Sequence, residues 1–324
     1  MSLSLDHKSS YEERLSKVLQ WRAMTKVFII LALCVIFLAG GAGYQPGSRA
    51  AADAITLKYT ADYAASFAEY SRPGAPSGPL AERWVTYGKT SYGDLRGFVA
   101  IPEGVGPFPT IIFNHGSKQQ PEPKKVLVRF FNDLGYAVFL PQRRGYGNSA
   151  GPSLDDALTL DPATQEGKLQ LMDRIHQESD DVMTASSYIR GMAYVDLKRI
   201  VISGYSFGGS STVFVARKNP DFVAGIAFTT ASGIWRHGGI VRQELIDAVR
   251  DARIPMMFVY AENDYDISPG VVFSREMRRM GKPVSLRIYP FGETEQEAHE
   301  IAIRSEGIKM WGPDVMKFIN QWMP

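Results

Sequence analysis

The stretch Gly204-Tyr-Ser-Phe-Gly208 is a G-x-S-x-G motif. It follows the apolar run Ile200-Val-Ile-Ser203 and precedes the helix-like segment Gly209 to Lys218. A strand, a sharp turn and a helix around this motif present a serine hydroxyl as a nucleophile. The turn is tight, so a side chain two positions either side of the serine would collide with neighbouring backbone. Gly209 adds a third glycine to the motif. The plainer alternative is a glycine-rich strand-to-helix turn with no chemistry. A serine hydroxyl is a weak nucleophile until a base takes its proton. Ser206 therefore needs a histidine, and the histidine needs a carboxylate to orient it.

Chains that carry this turn place the serine first, the acid second and the histidine last. Of the five histidines, His7, His115 and His176 precede Ser206. His237 follows it but comes before any good acid-bearing strand end. His299 remains, ten residues beyond the last apparent strand, Leu286 to Tyr289, in a loop ahead of the final helix. A surface histidine in a polar loop is the alternative. The acid is expected just past the strand Pro255 to Ala261, where Glu262-Asn-Asp-Tyr-Asp266 follows. Residues after such strands project from the carboxyl edge of the sheet. Asp264 and Asp266 both qualify, and either could instead serve a turn or cap the next helix.

An acyl-transfer site also needs hydrogen-bond donors for the oxyanion. The backbone N–H of Phe207, next to the serine, is one expected donor. The loop Asn114-His-Gly-Ser117 after the strand Thr110 to Phe113 supplies the other, with the Ser117 N–H as candidate. His115 reads as a structural residue of that turn. Trp235, in the long connection Thr229 to Arg253, and Tyr146 are the expected substrate-binding side chains. Packing of Trp235 onto the domain is the alternative. No H-E-x-x-H, cysteine pair or phosphate-binding G-x-x-x-x-G-K-[ST] competes, so neither a metal nor a cofactor is expected.

The elements that must carry these residues are short apolar runs alternating with amphipathic stretches from about Trp84 onward, the pattern of a mostly parallel sheet. Strands are expected at Trp84 to Tyr87, Leu95 to Ile101, Thr110 to Phe113, Ala137 to Pro141, Ile200 to Ser203, Ala224 to Phe228, Met256 to Tyr260 and Leu286 to Tyr289. Helices are expected at Val126 to Leu134, Ser179 to Met192, Gly209 to Lys218, Val271 to Met280 and Val315 to Trp322, the last capped by Asp314. The connections Gly151 to His176 and Thr229 to Arg253 read as long loops of the kind that line sites.

The 324 residues carry 36 basic and 34 acidic side chains, a net charge of +2, which offers no electrostatic footprint for nucleic acid. Cys34 is the single cysteine, so no disulfide can form within the chain. Residues 1–26 form a basic leading segment. Residues 27–43 read as a membrane anchor or signal sequence, since Val27 to Ala42 holds no charge and follows Lys17, Arg22 and Lys26. Its length and long leader favour an uncleaved apolar helix with Cys34 embedded in it. A linker rich in Ala, Gly, Pro and Ser spans 44–83, and the catalytic domain spans 84–324.

From about Trp84 to Met323 the chain resembles the dienelactone-hydrolase-like and prolyl-oligopeptidase-like branch of the α/β hydrolases. The resemblance rests on Asn114-His-Gly-Ser117, Arg144-Gly-Tyr-Gly-Asn-Ser149, Gly204-Tyr-Ser-Phe-Gly-Gly209, Asp264, His299 and the closing Trp311 to Trp322 segment. It implies an α/β-hydrolase fold, with an eight-stranded sheet covered by helices on both faces. It also favours Asp264 over Asp266, through the spacing to Ile267 and Pro269. Dienelactone hydrolases proper carry a cysteine where this chain has Ser206. Prolyl oligopeptidases carry a propeller, for which the 83 residues before Trp84 are too few. His299 sits in Glu297-Ala-His-Glu300 rather than beside a glycine.

The expected protein is a serine hydrolase acting on an ester-like acyl substrate. Its triad is Ser206, Asp264 and His299, and its catalytic domain lies outside the cytoplasm, on the periplasmic side if bacterial. A serine peptidase or acyltransferase with the same triad, and a non-catalytic binding protein, are the alternatives.

Overall fold

The computed structural model describes residues 81–219 and 221–324. The expected apolar helix at 27–43, the basic leader and most of the linker lie outside the described residues. Among the described residues no helix is long and apolar enough to cross a membrane.

Eight strands form one sheet in the order β1-β2-β4-β3-β5-β6-β7-β8. They are β1 (Ala81–Thr90), β2 (Gly93–Ile101), β3 (Phe108–Asn114), β4 (Ala137–Pro141), β5 (Val195–Tyr205), β6 (Ala224–Phe228), β7 (Met256–Ala261) and β8 (Val284–Tyr289). The sheet is mixed: β2 runs antiparallel to both its neighbours, β1 and β4. Every other pairing is parallel. The central strands β6 and β7 are buried along their whole length, as an apolar run between two helical layers must be.

The helices are α1 (Lys125–Asp133), α2 (Leu154–Ala157), α3 (Gln165–Arg190), α4 (Phe207–Lys218), α5 (Gly239–Asp251), α6 (Ser268–Arg279), α7 (Glu295–His299) and α8 (Ser305–Asn320). A 3₁₀ turn, Trp235–His237, precedes α5. Two apolar cores lie on opposite faces of the sheet. One joins the sheet to α3, α4, α5 and α6 through Leu171, Val182, Phe214, Leu245 and Phe273. The other joins it to α1 and α8 through Leu127, Phe131, Trp311 and Ile319.

Four expectations are corrected. The connection Gly151 to His176 is not a loop: it holds α2 and the first half of α3. Thr164 caps α3 by accepting from the Gly167 amide, and the helix turns its Arg174, Glu178 and Asp181 inward with its apolar residues. Charged side chains on the buried face hide the amphipathic period from a sequence reading. The connection Thr229 to Arg253 likewise contains the 3₁₀ turn and α5. Asp314 does not cap the last helix, which begins at Ser305 and carries Pro313 within it. The Asp314 carboxylate instead accepts from the Tyr289 hydroxyl and Arg287. The first strand starts at Ala81, inside the segment read as linker, because its exposed edge residues carry little periodic signal.

Candidate active site

Ser206 lies between the end of β5 and the first residue of α4, with φ 55° and ψ −121°. A positive φ is uncommon for a residue with a Cβ and stores strain. The Ser206 amide, donating to Phe228 O at 2.9 Å, helps hold the turn against β6. The flanking glycines are required by close approach. A Cβ on Gly204 would lie 2.5 Å from Gly208 O, and one on Gly208 would lie 2.2 Å from His115 O. Helix, turn and the 114–116 loop therefore interlock at backbone distance.

His299 reaches this turn from the other side, on the last residue of the short helix α7 rather than in a loop. Its Nε2 is 2.7 Å from Ser206 Oγ and its Nδ1 is 2.7 Å from Asp264 Oδ1. Asp264 follows β7 and is 8% exposed, while His299 is 9% exposed, so their contact is largely shielded from water. Asp264 also accepts from Ser232 Oγ at 2.5 Å and from the Tyr265 amide at 2.8 Å. The Tyr265 ring lies 4.7 Å from the His299 ring, and Thr229 Oγ1 donates to His299 O. Asp266, the rival acid, instead accepts from the Ser268 amide at the start of α6.

Ser117 and Phe207 both line the cavity that contains Ser206. The Phe207 amide is the first of α4 and so lacks an acceptor within the helix. The loop carrying Ser117 is tied to β5 by Asn114 Nδ2, which donates to Ser203 O at 2.9 Å. A Cβ on Gly116 would lie 3.3 Å from Ser206 Cβ, so this loop passes directly beside the serine.

The cavity has a volume of about 810 Å³, in the upper range for small-molecule sites. Leu154, Leu158, Leu160, Leu171 and Ile234 give it an apolar wall, and Lys118, Lys124 and Arg236 add cationic groups. The His237 imidazole beside Arg236 has its pKa lowered by partial burial and by the charges of Arg236 and Lys168.

Two expected pocket residues are not there. Tyr146 is completely buried, with its ring 4.6 Å from that of His115 and with Arg143 and Arg174 over it. Burial, followed by the negative charge of Glu178, raises its phenol pKa. Trp235 is 4% exposed and packs edge-on against Phe273 of α6, with the Arg242 guanidinium 5.1 Å from its ring. Its neighbours Ile234, Arg236 and His237 line the cavity in its place. The segment was legible in the sequence, but which side chain turned outward was not.

Sequence reasoning also missed Ser232 and a buried ionic cluster behind the 114–117 loop. Ser232 follows β6, the strand beside the one that delivers Asp264, and that adjacency was the available signal. Arg143, with no exposure, joins Glu178 of α3 to the loop carbonyls of His115 and Gly116. Nothing in the local sequence marks Arg143 apart from its neighbour Arg144. Among the described residues, no group of three His, Cys, Asp or Glu side chains is placed to hold a metal ion.

The sheet order, the helices on both faces and the serine at a strand–helix turn define an α/β hydrolase. Residues 95–305 match the Dienelactone hydrolase family, and the chain belongs to that family. It is a hydrolase by that membership. Protein usf of Aquifex pyrophilus is 24% identical over 200 residues, covering 60% of this chain and 78% of the relative. Esterase FrsA of Klebsiella pneumoniae subsp. pneumoniae is 22% identical over 166 residues, 51% of this chain and 33% of the esterase. Among solved structures, the Pyrococcus horikoshii acylaminoacyl peptidase superposes with a TM-score of 0.59 at 20% identity. That match covers 76% of this chain but 42% of the longer peptidase, and it speaks for the shared fold.

Proposed function

We propose that this protein is a serine hydrolase that cleaves a carboxylic ester through an acyl-serine intermediate, with Ser206, His299 and Asp264 as its triad. The observation that carries this reading is the unbroken contact from Ser206 Oγ to His299 to Asp264 at the edge of a large cavity. Ser206 Oγ attacks the acyl carbonyl while His299 Nε2 takes its proton. Asp264 keeps the imidazole in the tautomer with the proton on Nδ1 and stabilises the imidazolium. The carbonyl oxygen, now negative, accepts from the Phe207 and Ser117 amides. Collapse of the tetrahedral species breaks the ester bond, and the His299 proton leaves with the alcohol. Water, deprotonated by His299, then attacks the acyl-serine and releases the acid. No cofactor enters this scheme.

The experiment is covalent labelling with a fluorophosphonate, read by intact mass and peptide mapping, alongside ester turnover by Ser206→Ala. One phosphonyl group on Ser206 and a rate loss on the order of 10⁶ are expected. A Ser206→Ala protein keeping a few percent of wild-type turnover would end this reading. A serine peptidase or acyltransferase would use the same three residues. A turnover survey over esters, peptide amides and alternative acyl acceptors separates them.

The reading extends to location. Residues 27–43 act as a membrane anchor or a signal sequence, with Lys17, Arg22 and Lys26 on the cytoplasmic side and the catalytic domain exported to the other. Cell fractionation of the full-length protein tests this. Recovery in the cytosol, with Met1 intact and no membrane association, refutes it.

A further inference from the structure

We infer that Arg143 and His115 form a clamp that turns the Ser117 N–H toward the substrate carbonyl, so that Arg143 is a positioning residue for the oxyanion site. The inference rests on the hydrolase reading above and concerns one peptide unit, Gly116–Ser117. In a planar trans peptide the C=O and the N–H point in opposite directions. Whatever holds Gly116 O therefore aims the Ser117 N–H the other way.

Gly116 O is held twice. His115 Nδ1 lies 2.7 Å from it and Arg143 Nη2 donates to it at 3.1 Å. Arg143 Nη1 donates to the preceding carbonyl, His115 O, at 2.8 Å. One guanidinium fork thus takes two successive loop carbonyls. Its remaining nitrogen, Nε, donates to Glu178 Oε2 at 2.6 Å. Glu178 is fixed in turn by Arg174 Nε at 2.6 Å, and Arg174 donates to Arg144 O at 2.7 Å.

His115 is suited to its part. Its Nε2 accepts from the Arg143 amide at 3.3 Å, which leaves the proton on Nδ1 for Gly116 O. Burial, and then the Arg143 charge, hold its pKa well below the usual histidine range, so the ring stays neutral with this single donor.

The arrangement is costly in the way that buried charge always is. Arg143 and Glu178 side chains have no exposure, and burying such a pair offers little net stability over apolar residues of similar size. What the guanidinium supplies and an apolar residue cannot is three aligned N–H donors, two of them spent on the loop beside Ser206. A lysine retains the charge but presents a single nitrogen.

The test compares wild type, Arg143→Lys and the double variant Arg143→Met/Glu178→Gln, which removes one cation and one anion together. Three quantities are measured: kcat and KM on p-nitrophenyl butyrate, the binding of phenylboronic acid, and thermal unfolding. Phenylboronic acid forms a tetrahedral adduct with the serine and places an oxygen at the oxyanion position. For folded variants, kcat is expected to fall about 10²-fold, as for loss of one oxyanion donor, with KM within about two-fold. Boronate affinity is expected to fall by a similar factor. A folded variant with near wild-type kcat overturns the clamp, and so does a kcat loss with unchanged boronate affinity. Failure of both variants to fold assigns Arg143 to folding alone and also overturns it. Ser206→Ala is run in parallel. If it still hydrolyses the ester, the hydrolase reading itself falls; if it is inactive while Arg143→Lys is not, only the clamp falls.

Discussion

Asp264 grips His299 through Nδ1 at 2.7 Å and is itself gripped by Ser232 at 2.5 Å, so three elements of the sheet edge converge on one carboxylate. Ser232 follows β6, Asp264 follows β7, and His299 ends α7. The Asp264 side chain is fully buried, and each of its carboxylate oxygens has a donor.

This relationship ranks the two aspartates. Asp264→Asn is expected to lower kcat on the order of 10⁴-fold, because an amide at this position no longer secures the imidazole tautomer in which Nε2 accepts the serine proton. Asp266→Asn touches only the Ser268 amide at the start of α6 and is expected to leave kcat within a few-fold. Ser232→Ala removes one donor from a buried carboxylate, a change that costs about 1–3 kcal/mol, and should fall between the two. Steady-state kinetics on a single ester checks the order, and an Asp266 variant weaker than the Asp264 variant would reassign the acid.

Trp235 and Leu158 separate packing from recognition. Trp235→Ala should destabilise the domain by about 3–5 kcal/mol, because the indole is buried against Phe273. Ester preference should stay unchanged in the fraction that remains folded. Leu158 lines the cavity. Leu158→Ala should alter the ratio of kcat/KM between acetyl and hexanoyl esters by roughly ten-fold, with a smaller stability cost. Thermal unfolding combined with a chain-length series reads both. A shifted preference in the Trp235 variant would return that residue to the pocket.

His115 makes stability depend on pH. Its folded pKa lies well below the ordinary value of 6.5, owing first to burial and then to Arg143. The unfolded chain therefore binds a proton that the folded chain refuses as pH falls below 6.5. Stability rises with pH where the unfolded state holds more protons. The His115 contribution is thus fully present above that value and is lost as pH falls toward the folded pKa, at up to about 1.4 kcal/mol per pH unit. His115→Gln should be less stable near neutrality yet show a flatter profile toward about pH 5. Denaturant unfolding across that range decides it, and parallel profiles for the two proteins would remove His115 as the source.

Much of the candidate site was legible because its signals are local. The elbow at Ser206 announces itself through an apolar strand and through glycines at which a Cβ would come within 2.2–2.5 Å of neighbouring backbone. His299 followed from its order in the chain, and β6 and β7 from runs too apolar to face water. The rest depends on contacts between distant residues. His299 and Asp264 are 35 positions apart, Ser206 and His299 are 93 apart, and Arg143 meets Glu178 across 35. Local pattern alone left Asp264 and Asp266 equivalent and only the family resemblance favoured the first; the end of β7 aims Asp264 at the imidazole and leaves Asp266 to an amide. Tyr146 and Trp235 carry the same aromatic chemistry whether they line a cavity or fill a core. Helix α3 concealed its first half because Arg174 and, one turn on, Glu178 interrupt its buried apolar residues, and those charges find their partners in Arg143 and in the Pro152 carbonyl, far away in the chain. Local pattern determined which segments could turn, cross the core and bear a nucleophile. Tertiary packing alone decided which polar groups found partners, because a charge inside a protein is stable only where the partner is already in place.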